Sequence, residues 1–140
     1  MQNIDFSKGE LGEHEQSQLT EGFETHSQVQ EAPPYQKDRL NWTVKDDSGK
    51  LVAAITADLL WGWLYIDELW VDESCRGTGM GKQLMSKAEH HAKSKGLSGI
   101  WLWTQSWQAP GFYQSLGYEE FTRFEDFPKG HSRIGLRKYL

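Results

Sequence analysis

A single cysteine, Cys75, stands in the 140 residues, which excludes an internal disulfide framework and leaves no cysteine-rich metal site; no metal is expected. Long apolar runs are missing as well. The longest, Leu59 to Ile66, falls far short of the roughly 20 residues a membrane-spanning helix needs, so no membrane partner is expected. No cluster of lysine and arginine stands out, which argues against a nucleic-acid partner. The opening Met1-Gln2-Asn3-Ile4-Asp5 has neither the basic nor the apolar region of a signal peptide, and a cytoplasmic location is the expectation. Internal repeats and low-complexity tracts are absent too.

Aromatic residues, in contrast, are plentiful. They make up 13% of the chain, with seven tryptophans, inside a hydrophobic fraction of 37%. A packed core is expected, and the length fits one domain over residues 1–140. The net charge of −5 is unevenly spread. Residues 1–60 carry eleven acids against five bases, and residues 61–140 nine acids against ten bases. The mildly basic second half suits an anionic ligand and the acidic first half a cationic one; a solvated surface accounts for the same pattern.

Patterning divides the chain into short elements. Gln2 to Phe6 reads as a short strand, and Leu11 to Val29 as a weakly amphipathic surface helix with Leu19 and Phe23 four apart. Pro33-Pro34 marks a loop over Glu31 to Arg39. Leu40, Trp42 and Val44 alternate with polar neighbours, the period of a half-buried strand. Asp46-Asp47-Ser48-Gly49 is a hairpin turn into a second strand, Lys50 to Asp58, and a third runs from Trp63 to Asp72. Met80, Leu84, Ala88 and Ala92 form the apolar stripe of a helix ending near Gly96. A buried strand over Leu97 to Thr104, a short helix over Pro110 to Leu116, and strands over Tyr118 to Phe124 and Ser132 to Leu140 complete the reading. The order predicts an α/β fold, a mixed sheet with helices on both faces.

Between the third strand and its helix lies Arg76-Gly77-Thr78-Gly79-Met80-Gly81. A helix N-terminus leaves backbone N–H groups unpaired at the positive end of the macrodipole. Glycines there let a phosphate approach the backbone, and Arg76 can add a charge-assisted contact. The physical reading is a pyrophosphate cradle, although a flexible loop that binds nothing has the same composition. A P-loop is excluded because Lys82 is followed by Gln83, and the Rossmann spacing is not matched by Gly77-x-Gly79-x-Gly81.

The segment Leu69-Trp70-Val71 through Arg76-Gly77-Thr78-Gly79-Met80-Gly81-Lys82-Gln83-Leu84 resembles the signature of the GNAT superfamily of N-acetyltransferases, in its small bacterial type. There a strand ending in Leu-x-Val leads into Arg/Gln-x-x-Gly-x-Gly/Ala. Some 30 residues on, Ala109-Pro110-Gly111-Phe112-Tyr113-Gln114-Ser115-Leu116-Gly117-Tyr118 is similar to the family's Ala-x-x-Phe-Tyr-x-x-x-Gly-Phe. The resemblance is specific over residues 63–118. It implies a GNAT fold of about six to seven strands, acetyl-CoA as cosubstrate, and no covalent enzyme intermediate. Dimers are common in the family, so a homodimer stays open beside a monomer.

The resemblance assigns roles residue by residue. Backbone amides from Gly77 through Thr78, Gly79, Met80 and Gly81 to Lys82 would hold the CoA pyrophosphate, beside Arg76. The backbone of Trp70 and Val71 would pair with the pantetheine arm, near Ala109 and Phe112. Ser106 stands where the family often has Asn and offers a shorter group. Tyr113 matches the family's tyrosine, a general acid for the departing thiolate; packing against Phe112 is the alternative. Asp67 and Glu68 are the candidate bases for the incoming ammonium. Strand alternation puts Asp67 on the face of Leu69 and Val71 and Glu68 on the other, and a surface ion pair is the alternative for each. Trp61, Trp63, Trp103 and Trp107 are candidates for an acceptor wall or for the core. His90 and His91 are expected in solvent, since neighbours on a helix do not share a face as metal ligands would.

Together these readings predict acetyl transfer from acetyl-CoA to the primary amine of a small, cationic molecule. A protein amine is the alternative substrate, and a non-catalytic CoA-binding module the alternative function.

Overall fold

The computed structural model describes residues 2–140. They divide into two compact units, one ending at Tyr35 and the other Gln36–Leu140. The first contains a single helix, α1 (Glu13–Val29). Glu13 and Glu15 in its first turn and His26 in its last complement the helix dipole. None of its residues is buried, Leu19 and Phe23 included, as the weak amphipathic pattern predicts. The strand expected over Gln2 to Phe6 does not form. Ile4 and Phe6 are fully exposed, and an extended segment without a paired neighbour has no hydrogen-bond ladder to hold it.

The second unit is a six-stranded mixed sheet with helices, which bears out the α/β reading. Its strands are β1 (Asp38–Lys45), β2 (Leu51–Leu60), β3 (Trp63–Val71), β4 (Gly99–Gln105), β5 (Glu119–Glu125) and β6 (Ser132–Tyr139). Their spatial order is β1-β2-β3-β4-β6-β5. All neighbours are antiparallel except β3 and β4, which are parallel and joined through α2 (Met80–Ser94). Parallel neighbours need a crossover of this kind. A short helix, α3 (Pro110–Ser115), precedes β5 with proline in its first turn.

One face of the sheet carries the core. Ala53, Ile55, Ala57, Leu64, Ile66, Ile100, Leu102, Ile134 and Leu136 pack against Leu84, Met85, Ala88 and Ala92, the buried stripe of α2. Phe112, Tyr113 and Leu116 of the α3 region close the same cluster. His91, expected in solvent, instead lies edge-on against Trp42 at 5.6 Å, because α2 lies over that part of the sheet; His90 is exposed.

A partly buried polar group ties this layer together. The Tyr118 hydroxyl donates to Glu89 Oε1 at 2.9 Å, and Lys138 Nζ reaches Glu89 at 3.3 Å and the Leu116 carbonyl at 2.8 Å. Each polar atom has its partner, which makes burial tolerable.

The opposite face is rich in aromatics. Trp63, Tyr65, Trp101 and Trp103 lie along β3 and β4, with Arg133 and Arg137 of β6 stacked on rings beside them. Trp63 sits so close to Gly99 that a Cβ there would lie 2.5 Å from its ring and 2.7 Å from the Lys138 carbonyl oxygen. Gly99→Ala is therefore expected to destabilise the protein by about 2 kcal/mol, the usual cost of overpacking. A lowered urea midpoint with an unchanged slope would report it.

Candidate active site

The β3–β4 ladder stops early. Cα partners run from Trp63↔Gly99 to Ile66↔Leu102 and no further. Beyond that point β3 pairs only with β2, and β4 only with β6, so the two strands part. The cleft this opens has a volume of about 830 Å³. Its walls are β3 from Ile66 to Val71 and β4 from Leu102 to Thr104, with Gly81, Phe112 and Tyr113 among its lining residues.

The parting leaves backbone groups of β3 without strand partners. Asp72 N–H donates to the Val52 carbonyl at 2.7 Å, and Ala53↔Val71 and Ile55↔Leu69 follow in the same register. In an antiparallel pair with this register, the N–H and C=O of Leu69 and Val71 point away from β2 into the notch, while those of Trp70 are taken by β2. Leu69, which sequence reading passed over, thus joins Val71 as a notch-facing residue. Trp70 lines the cleft as a half-exposed ring. Arg76 Nε donates to the Val71 carbonyl at 3.1 Å, bracing the end of β3.

The glycine turn follows directly. Asp72 caps a short 3-10 turn, Glu73–Cys75, by accepting from the Ser74 backbone N–H at 3.1 Å. The Thr78 hydroxyl donates to the Cys75 carbonyl and holds the next bend. Gly77 and Gly79 have φ of 75° and 81°, values that favour glycine, and Gly79 is the N-cap of α2. Within Gln36–Leu140, no hydrogen bond leaves the backbone N–H groups of Gly77, Thr78, Gly79, Met80, Gly81 or Lys82. They form an open donor array at the positive end of α2. Gly81 faces the ring of Phe112, whose Cζ would be 3.4 Å from an added Cβ.

Asp67 and Glu68 meet on the same side, contrary to the alternation expected of them. The β2–β3 register shifts between Thr56 and Ala57, with Thr56 opposite Glu68 and Ala57 opposite Ile66. Asp67 is the extra residue of this bulge, and a bulge resets the side-chain alternation. Arg39 Nη2 lies 2.9 Å from Asp67 Oδ2 and 3.6 Å from Glu68 Oε1, while its Nη1 lies 3.2 Å from Asp58 Oδ1. The Thr56 hydroxyl donates to Glu68 at 3.1 Å.

Across the cleft, Tyr113 packs edge-on against Phe112 at 5.1 Å and Tyr118 at 6.2 Å. No hydrogen-bond partner takes its hydroxyl within this unit, and burial pushes the phenol above its ordinary value of 10.0.

Other candidates are placed less centrally. Ser106 does not line the cleft: its hydroxyl accepts from Ser132 N–H at 3.1 Å. Gln108 and Ala109 line the cleft in that region, Gln108 held by Gln105 N–H at 2.8 Å and the Thr104 hydroxyl at 3.2 Å. Trp103 and Trp107 line the cleft, whereas Trp61 lies in the β2–β3 turn and Trp63 opens β3, at the far end of the strand. Among the described residues no group of His, Cys, Asp or Glu could hold a metal ion, and no helix is long and apolar enough to cross a membrane.

A mixed sheet that parts beside a helix N-terminus, with a donor array at its mouth, defines a cleft for a phosphate-bearing ligand with an extended arm. The model of the acetyltransferase (GNAT) family matches residues 9–118, and the chain belongs to that family. It is 39% identical over 95 residues to a blasticidin-S acetyltransferase of Streptomyces morookaense, covering 67% of this chain and 70% of that protein. An acetyltransferase from Bacillus cereus superposes with a TM-score of 0.81 at 34% identity, over 96% of this chain and 98% of the other. A Bacillus anthracis structure described as a streptothricin acetyltransferase in complex with acetyl coenzyme A shares the fold. Its TM-score is 0.65 at 21% identity, over 77% and 64% of the two chains. The protein is an acetyltransferase, with acetyl-CoA as the cosubstrate of its family.

The buried phenol has a spectroscopic consequence. An ordinary tyrosine is half ionised at pH 10.0, and desolvation favours the neutral form, so Tyr113 keeps its proton beyond that point. An ultraviolet difference titration of wild type against Tyr113→Phe should show this residue less than half ionised at pH 10. Half-ionisation there would place the ring in solvent.

Proposed function

We propose that the chain transfers the acetyl group of acetyl-CoA to a primary amine on a small cationic molecule, by direct attack while both substrates are bound. The observation that carries this reading is the pairing, across one notch, of a half-buried phenol with no hydrogen-bond partner in its unit and two adjacent carboxylates. A blasticidin-S acetyltransferase stands among its relatives. The family model's match to both units supports reading residues 1–140 as one acetyltransferase domain. A cytoplasmic setting, where acetyl-CoA is available, belongs to the same proposal.

The residues present fit the cosubstrate. The open N–H array from Gly77 to Lys82 suits a pyrophosphate, with Arg76 at its edge. The notch-facing groups of Leu69 and Val71 suit the amides of the pantetheine arm, as an added strand would. When bound, acetyl-CoA supplies an activated thioester. Val71 N–H, which faces the notch, would stabilise the charge that develops on the carbonyl oxygen. Tyr113 holds a proton for the departing sulfur. Asp67 and Glu68 attract the acceptor's ammonium and receive its proton, directly or through water, while Arg39 fixes their position.

The decisive assay follows thiol release from acetyl-CoA over a panel of amines. Tyr113→Phe should lower kcat about a hundredfold, the usual weight of a general acid, with little change in the affinity for CoA. Tight CoA binding with no turnover on any amine would leave a binding module in place of an enzyme. Gly79→Ala puts a side chain at φ of 81°, with a cost of about 1 kcal/mol or more. Calorimetry should show CoA binding weakened at least fivefold, and an unchanged Kd would remove the turn from the cosubstrate site.

A further inference from the structure

The sheet carries two groups of charged side chains. Carboxylates crowd the β1–β3 side, where Asp58, Asp67 and Glu68 converge on Arg39. On β5 and β6 the cations Arg123, Arg133, Arg137 and Lys138 stand beside the carboxylates Glu119, Glu120 and Glu125. Arg123, Arg137 and Lys138 of these strands each have a carboxylate within 4.0 Å, at Glu120, Glu119 and Glu89. Arg133 is the exception among the described residues of β5 and β6. No carboxylate pairs with it, and its guanidinium lies over the ring of Trp103 at 4.8 Å and near that of Phe127 at 5.6 Å. Trp103 is itself part of the cleft wall.

This placement has a chemical meaning. Stacking on a ring satisfies the face of a guanidinium and leaves its N–H edge for a planar anion, which it can hold with two parallel hydrogen bonds. Half-burial beside two aromatic rings removes part of the hydration that would otherwise screen the charge, so an anionic partner gains more there than in open solvent. Tyr65 lies near enough for the Arg133 charge to act on its phenol, which puts a second polar group in the same region.

We propose that the small molecule is cationic only at its amine end, which is taken at the Asp67–Glu68 side of the notch, and bears at its other end a carboxylate or similar planar anion taken by Arg133. The inference rests on the acetyl-transfer reading for the amine end. Asp67 on β3 and Arg133 on β6 are two strand positions apart, with β4 between them. Strand spacing puts that separation at about 10 Å, and the parting of β3 from β4 widens it. An α-amino acid, which bears both charges on one carbon, cannot reach both sites. A short peptide-like amine or an ω-amino acid with a free carboxylate can.

Matched acceptors test this: an ω-amino acid of that span, its carboxamide, and a diamine of equal length. Wild type should favour the acid over the carboxamide about tenfold in kcat/KM. Arg133→Gln should raise KM for the acid about tenfold more than for the carboxamide, with the loss in KM rather than kcat, and Arg133→Lys should recover part of it. Equal losses on acid and carboxamide would mean that Arg133 merely braces Trp103 and Phe127, and would overturn the proposal. So would turnover of carboxamide and diamine in preference to the acid, which leaves acetyl transfer intact. Absence of turnover on every amine would instead overturn the acetyl-transfer reading. Calorimetric binding of the same acid and carboxamide to the CoA-loaded protein then decides the anion site by itself. A preference for the acid that Arg133→Gln abolishes supports the site, and equal binding sinks it.

Discussion

The early end of the β3–β4 ladder is the constraint on which the rest depends. Four residue pairs hold the two strands together, from Trp63↔Gly99 to Ile66↔Leu102. The strands then separate, and each keeps its other neighbour. An unpaired strand edge inside a sheet is costly unless something fills it. Here the protein itself supplies part of the filling. Arg76 takes one notch-facing carbonyl, that of Val71, and the remaining groups of Leu69 and Val71 face the cleft. The glycine turn sits at the mouth because the chain leaves β3 there to enter α2. The notch-facing edge of β3 and the glycine turn are thus consecutive segments of one chain.

The bulge at Asp67 adjoins this opening. It falls on the first residue of β3 beyond the last pair with β4, and it turns two successive carboxylates toward Arg39. Without the extra residue, Asp67 and Glu68 would face opposite sides of the sheet. Exposed ion pairs of this kind contribute little to stability. Their consequence is local: negative charge is concentrated on one side of the notch, while Tyr113, buried against Phe112 and Tyr118, stays neutral on the other. The two sides of the cleft therefore differ in character, one charged and exposed, the other aromatic and partly buried.

Rigidity comes from the face that does not open. The stripe Leu84, Met85, Ala88 and Ala92 of α2 is buried on the sheet, and Glu89 joins Tyr118 and Lys138 behind it. These contacts fix the N-terminus of α2 relative to β3 and hold α3 against the same layer. The Tyr113 ring is positioned as part of that layer, which is why a residue on a six-residue helix can be held in place.

Much of this was legible in the residues. The alternation of Leu40, Trp42 and Val44, the four-residue repeat from Met80 to Ala92, and the punctuation at Gly96 and Pro110 locate the elements of the second unit to within a residue or two, because burial on one face imposes its period on the sequence. The glycine turn and the Phe112-Tyr113 segment were legible for a related reason: left-handed φ and close backbone approach restrict residue choice locally. What depends on strand pairing was not. A strand at Gln2–Phe6 needs a neighbour that the segment cannot specify, and the bulge at Asp67 is a property of two strands, not of one. The convergence of Asp67, Glu68, Asp58 and Arg39, the engagement of Ser106 with Ser132, and the notch-facing backbone of Leu69 all follow from register. The sequence by itself determined the elements, the turn and the family. Tertiary structure alone decided which side chains share the cleft, because register is a long-range relation that a local pattern does not encode.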